Sequence, residues 1–440
     1  MTKALLVALL VFPISCCLFA SDQFEESSLC KKIHLKWMEM NLDLTKNTPG
    51  YSAPVAARTF AYLSVGMYES SVQLMVDNQS LSQQLNGFTR NYFPSSSKIS
   101  YQHVANLLDY DLALYFFDNM PPFNRKKVDQ QFKDIFNTYK KQYSKKELKN
   151  AEVFAKALVS EIVNWAEADG TKNPWNANFP KSYIPPICEG CWVRTQPGFV
   201  DALQPFWGAN RLMVASSGNV CEDIPYLPFS KDSTSEFYAQ NKRILSLFQD
   251  LSQTKIDIAK YWDDAPGITG TPVGHLFNIG LQLAKLKDLS LAKSTELFVL
   301  LGVAINDAMR ETWKLKYHYN LIRPYSYIQR YISKKFETII VTPPFPEFPS
   351  GHSFQSGAGS EVLKYIFTDA MSFTDSTNQL RTDMNGAPRT FKNFTEMSEQ
   401  MSISRFYGGI HYENTLRVSL IYGRKIGSNT IQSIQFLKQQ

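Results

Sequence analysis

Phe345-Pro346-Glu347-Phe348-Pro349-Ser350-Gly351-His352-Ser353 is a proline-bounded turn that delivers a hydroxyl, a glycine and an imidazole just ahead of a helical pattern. A helix beginning near Ser353 leaves its first N–H groups unpaired and its positive dipole end facing the turn, which suits an oxyanion. Gly351 allows the backbone to come close to such a group. Two further segments belong with this turn: Lys316-Tyr317-His318-Tyr319-Asn320-Leu321-Ile322-Arg323-Pro324 before it, and Ser404-Arg405-Phe406-Tyr407-Gly408-Gly409-Ile410-His411 after it. Together they add three cations and, in His411, the second imidazole of the motifs, besides His318. A tetrahedral oxyanion asks for donors on several sides, and Arg forks, a Lys point charge, a hydroxyl and backbone N–H groups are all offered here. Two imidazoles then allow chemistry, one at the central atom and one moving a proton.

The order of these motifs resembles the signature shared by vanadium-dependent haloperoxidases and type-2 phosphatidic acid phosphatases. Lys316, six residues, Arg323-Pro324, then Pro349-Ser350-Gly351-His352, then Ser404-Arg405, five residues and His411 carry the likeness. Tyr261-Trp262-Asp263-Asp264-Ala265-Pro266-Gly267, Thr271-Pro272-Val273-Gly274-His275, Asp307-Ala308 and Pro343-Pro344-Phe345-Pro346 resemble the bacterial haloperoxidase branch in particular. The resemblance implies an all-α fold built from helical bundles. It also implies that His411 is the axial ligand of a vanadate, with His352 as the acid–base residue beside the apical oxygen. Lys316, Arg323, Ser350, the Gly351 N–H and Arg405 then bind the equatorial oxygens, and phosphate takes the cage when vanadate is absent. The implied reaction is oxidation of a halide by hydrogen peroxide to hypohalous acid, with Lys316 polarising the bound peroxide and iodide or bromide favoured. Two alternatives stand beside it: an exported phosphatase using a phosphohistidine on His411, and a non-catalytic oxyanion-binding protein.

One position departs from the family pattern. Thr415 stands where the family usually has Asp, one helical turn after the final histidine, where a carboxylate orients the ring. Asn414, Glu413 or a backbone carbonyl are the candidates to replace it. Asp307 is read either as orienting a cationic ligand or as a buried ion pair. His275 is read as lining a substrate pocket or as packing, and His318 as supportive at most. His34 and His103 lie in amphipathic stretches and are assigned to structure.

Residues 1–20 carry Lys3, an apolar run and a small residue at Ala20, the pattern of a secretory leader, so residues 21–440 are expected to form one all-α catalytic domain. Export to the periplasm or medium follows, with a lipid anchor at Cys16 or Cys17 as the less fitting alternative. No later apolar run reaches the ~18 residues of a transmembrane helix. Loss of Lys3 takes the net charge from +6 to +5, and no dense basic block marks a nucleic-acid surface. Helical periodicity is expected at 52–74, 100–118, 124–142 and 146–168, from a Ser233-Thr234-Ser235-Glu236 capping box to about Trp262, and over Ser290–Tyr317, Ser353–Phe367 and from Tyr412 on. Between them, residues 171–232 hold eight of the 22 prolines and read as an ordered excursion across the helices. There Trp192, Phe199 and Trp207 either wall a pocket or anchor the excursion, and Cys188, Cys191 and Cys221 offer a disulfide, with half a zinc site as the weaker reading. Mass spectrometry of the mature protein before and after reduction is expected to show loss of the first ~20 residues and at least one disulfide involving Cys188, Cys191 or Cys221, with Cys30 the fourth cysteine left after the leader. An intact Met1 with every thiol free would overturn the export argument.

Overall fold

A computed structural model describes residues 14–94, 98–171 and 173–439; residues 1–13 of the expected leader lie outside them. Thirteen helices carry nearly all the regular structure among the described residues. They are α1 (Ile14–Asn47), α2 (Ala53–Ser71), α3 (Tyr101–Phe116), α4 (Pro122–Tyr139), α5 (Lys145–Glu167), α6 (Glu236–Gln249), α7 (Gln253–Tyr261), α8 (Thr271–Leu286), α9 (Leu291–Tyr319), α10 (Pro324–Tyr331), α11 (Gly351–Phe367), α12 (Phe394–Tyr407) and α13 (Glu413–Ser433). The only strands described, β1 (Phe373–Asp375) and β2 (Arg389–Phe391), form one antiparallel pair in the connection from α11 to α12. Helix starts follow local chemistry: Ser100, Ser144, Ser235, Ser290, Ser350 and Asn393 each accept a backbone N–H with the side chain. The helix expected from the Ser233 capping box differs in two respects. Ser235 is the cap, and the run to Trp262 breaks at Asp250, leaving α6 and α7 as separate helices.

The apolar residues on most faces of α9 have a direct consequence: it is buried along nearly its whole length, with α2 on one side and α11 and α13 on the other. Two glycines set how close α11 and α13 can come. A side chain at Gly423 would stand 2.1 Å from the Phe354 carbonyl oxygen, and one at Gly357 would stand 2.6 Å from that of Leu420. The helices therefore meet backbone to backbone.

The excursion is ordered and fastened at both ends of its course. Asp307 accepts the Met213 and Val214 backbone N–H groups at 2.8 and 2.9 Å, so it orients neither a cationic ligand nor an ion pair. Its pKa is raised to about 6 by burial, against those hydrogen bonds. The Cys188–Cys191 disulfide closes a turn that pairs with the segment ahead of Arg323, through Trp192 N–H to the Asn320 carbonyl and Ile322 N–H to that of Gly190. Trp192 and Trp207 are buried anchors, whereas Phe199 is exposed, and Cys30 and Cys221 are buried free thiols. His34 and His103 are buried as well, bonded to Asp109 and Tyr139.

His275 has no nitrogen left for a substrate. Nδ1 meets Asp264 at 2.9 Å and Nε2 meets Asp375 at 2.7 Å, with Trp262 stacked on the ring and all of it buried. Burial alone would lower its pKa, but Asp264 and Asp375 outweigh that and hold it up at about 10. Because the folded value lies above the ordinary 6.5, the stabilisation is complete below that pH and is lost as pH rises through about 10. His275→Ala leaves two buried carboxylates without a cation and is expected to cost about 3–5 kcal/mol near pH 6. Denaturant unfolding at several pH values checks this. The gap from wild type should narrow towards pH 10, where wild type also loses the cation, and a gap that stays constant would count against the charged triad.

Candidate active site

Chain breaks between helices bring the expected residues together. Lys316 lies in the last turn of α9, which ends on Asn320 in the left-handed region (φ 49°). Pro324 opens α10 and leaves Arg323 as its extended N-cap. Ser350 caps α11, Arg405 closes α12, and Gly408–Gly409 turn the chain so that His411 precedes α13. Lys316, Arg323, Ser350, Arg405 and His411 are all buried, and His352 is half-buried.

The hydrogen bonds separate groups already used from groups still open. Lys316 Nζ donates to the carbonyls of Pro346, Glu347 and Pro349, which takes all three of its N–H bonds. Arg323 gives Nε to the Phe345 carbonyl at 2.9 Å, and Nη1 to that of Ile410 at 2.9 Å and to His411 Nε2 at 3.1 Å. Arg405 gives Nη1 to the Trp262 carbonyl at 2.6 Å and reaches Asp263 Oδ1 at 3.4 Å through Nη2. Three buried nitrogens of the group have no partner: Arg323 Nη2, Arg405 Nε and His352 Nε2. A buried donor left alone costs about 1–3 kcal/mol, more when charged, so Arg323 Nη2 and Arg405 Nε are two cationic donors open to an acceptor, with His352 Nε2 unpartnered beside them. Ser350 Oγ accepts from Ser353 N–H and Oγ–H, and a side chain at Gly351 would come no closer than 3.5 Å to Trp313, ordinary contact.

The partner of His411 comes from the central turn. Its Nδ1 lies 2.7 Å from Glu347 Oε1, which also accepts the Tyr412 N–H at 3.2 Å, while Thr415 Oγ donates to Oε2 at 3.0 Å. Neither Glu413, Asn414 nor a backbone carbonyl does this work. Glu347 was visible between two prolines, but contact with a residue 64 positions away has no local signature. Asp263 and the Trp262 carbonyl were likewise visible only as a flank.

Protonation states follow from burial among cations. Burial first, then Arg323, Lys316, Arg405 and His352, hold His411 well below the usual imidazole range. Burial and then Arg405 do the same to His352, against the Trp262 and Asp263 carbonyls facing it. Both rings are therefore neutral near pH 7. Burial pushes Glu347 up to about 7, opposed by Arg323 and Lys316. Burial also lowers Arg323 to about 10, and burial followed by Arg323 pushes Lys316 well below its usual range. His318 is exposed, edge-on to Tyr319, and outside this group.

Fold and site together describe a helical enzyme with a buried cluster of cationic and imidazole side chains. The family model described as the VCPO second helical-bundle domain matches residues 329–440. A bacterial vanadium-dependent iodoperoxidase matches with a TM-score of 0.81 and 27% identity, over 92% of this chain and 97% of that one. A bacterial vanadium-dependent chloroperoxidase in its holo form shares the fold, with a TM-score of 0.66 and 12% identity over 88% and 92% of the two chains. Its apo form gives 0.62 and 12%, over 86% and 93%. No curated protein sequence matches. Residues 329–440 thus match a vanadium haloperoxidase helical-bundle domain, and the chain as a whole shares the fold of bacterial vanadium-dependent haloperoxidases.

Arg405→Lys keeps the charge but cannot both hold the Trp262 carbonyl and present a donor where Nε lies. With inorganic phosphate as the probe, calorimetry is expected to show about 10- to 100-fold weaker binding, the worth of one charge-assisted hydrogen bond. Unchanged affinity would remove Arg405 Nε from the cage.

Proposed function

We propose that this protein holds vanadate in the cage and oxidises iodide or bromide with hydrogen peroxide. The observation that carries this reading is the set of open nitrogens on Arg323, Arg405 and His352, all buried about His411. These residues fit a tetrahedral oxyanion: His411 offers the Nε2 lone pair, now turned to Arg323 Nη1, Arg323 and Arg405 supply charge and forked donors, and the start of α11 adds Gly351 N–H and the Ser350 hydroxyl. Bound vanadate supplies a Lewis acid that activates hydrogen peroxide towards a halide without itself changing oxidation state.

The rest is done by the chain. His352, held neutral, accepts a proton at Nε2 from incoming peroxide and returns it later. Lys316, its N–H bonds tied to the turn, contributes field; an anion in the cage draws its pKa back up and keeps it charged. Phe345 sets its ring 5.0 Å from both Lys316 Nζ and Arg323 Cζ, so it walls the cations off from water. A drier wall suits iodide and bromide, which are less hydrated and more readily oxidised than chloride.

We read residues 21–440 as one catalytic unit, because α9 packs on α2 as well as on α11 and α13. The Cys188–Cys191 disulfide supports an oxidising compartment after export. Among the described residues no helix is long and apolar enough to cross a membrane.

A phosphatase would use the same cage with His411 as nucleophile and His352 as acid. Loading metal-free protein with vanadate is expected to create peroxide-dependent iodide or bromide oxidation and to suppress any phosphate-ester hydrolysis. His411→Ala should abolish both activities, whereas His352→Ala should still bind vanadate and lose about 100-fold or more in turnover. Efficient ester hydrolysis by metal-free protein, with no halide oxidation after loading from acidic to neutral pH, would establish the phosphatase instead.

A further inference from the structure

We propose that Glu347 is the positioning residue for His411, and that Thr415 completes it, so that this chain orients its ligand histidine from the central turn rather than from α13. The inference rests on the vanadate reading above and goes on to name what aims the ligand.

Three donors converge on one fully buried carboxylate: the His411 ring at 2.7 Å, the Tyr412 backbone at 3.2 Å and the Thr415 hydroxyl at 3.0 Å. Donors on both oxygens fix the plane of the carboxylate as well as its position. A guanidinium can only donate, so the 3.1 Å contact from Arg323 Nη1 makes His411 Nε2 the acceptor and leaves the ring proton on Nδ1, facing Glu347 Oε1. That is the tautomer a ligand needs. The backbone of Glu347 is fixed too, since its N–H donates to the Leu321 carbonyl at 2.9 Å and its carbonyl receives Lys316 at 3.0 Å.

In this setting Thr415 is the complement of Glu347. An aspartate at 415 would set a second carboxylate where the hydroxyl now donates to Oε2, and like charges would meet in a buried place. The unusual residue in α13 and the glutamate in the turn are two halves of one arrangement.

The test uses metal-free, full-length protein titrated with inorganic vanadate in a calorimeter, together with long-range proton–nitrogen NMR of labelled histidines to read the His411 tautomer. Glu347→Gln is expected to weaken vanadate binding by about 10- to 100-fold, the usual effect of losing a ligand's orienting partner, and to populate the Nε2-protonated ring. Thr415→Asp alone should also weaken binding. Thr415→Asp placed on Glu347→Ala should recover much of it, which a merely structural role for Glu347 would not produce. Wild-type affinity and tautomer in Glu347→Gln would overturn the assignment. Should that variant fail to fold, Thr415→Asp decides, because a gain in affinity there would equally overturn it. If wild type itself binds no vanadate, the cofactor reading fails, while the NMR tautomer still tests Glu347 separately.

Discussion

Lys316, Arg323 and Arg405 are buried within influence of one another, and Glu347, Asp263 and Asp264 are the acidic groups that offset them. Burying like charges together is unfavourable unless dipoles replace the lost water. The turn around residues 345–349 answers this with carbonyls: Phe345, Pro346, Glu347 and Pro349 all point oxygens at Lys316 or Arg323. Ile410 and Trp262 do the same for Arg323 and Arg405. Prolines suit such a turn because their missing N–H leaves fewer donors to satisfy. What remains uncompensated is positive, directional and local, which is the condition for drawing in an oxyanion.

Much of this was legible. Helix periodicity marked α2, α3, α4, α5, α9, α11 and α13, because each is long and has a cap or a consistent apolar stripe. The cage residues were legible because three short motifs kept their spacing. Glu347 was not, since its partner lies 64 residues away across the fold, whereas a local partner would stand one turn after His411. Asp307 departs from both of its readings for the same reason, and His275 takes the packing side of its two. Both carry charges near the motifs, but one binds the backbone of the excursion and the other sits between carboxylates from a loop and a strand. The break between α6 and α7 was hidden because polar residues either side keep a helical pattern across Asp250.

Asp307 and His275 are connected to the site at one remove. Asp264 and His275 fix the loop whose Trp262 carbonyl and Asp263 carboxylate hold Arg405. Asp307 fixes the excursion, whose disulfide-closed turn pairs with the segment leading to Arg323. Each arginine thus has a buried anchor of its own behind it, built from a different part of the chain.

The close contact of α11 and α13 through Gly357 and Gly423 bears on how the anion arrives. Backbones in contact cannot slide without separating, so the turn carrying Ser350 and the loop carrying His411 are held at one distance whether or not an anion lies between them. Entry then requires diffusion and shedding of water, with little rearrangement of the host. The arrival rate of such a guest is governed by long-range attraction to the buried cations, and it slows as dissolved salt shortens the reach of that attraction.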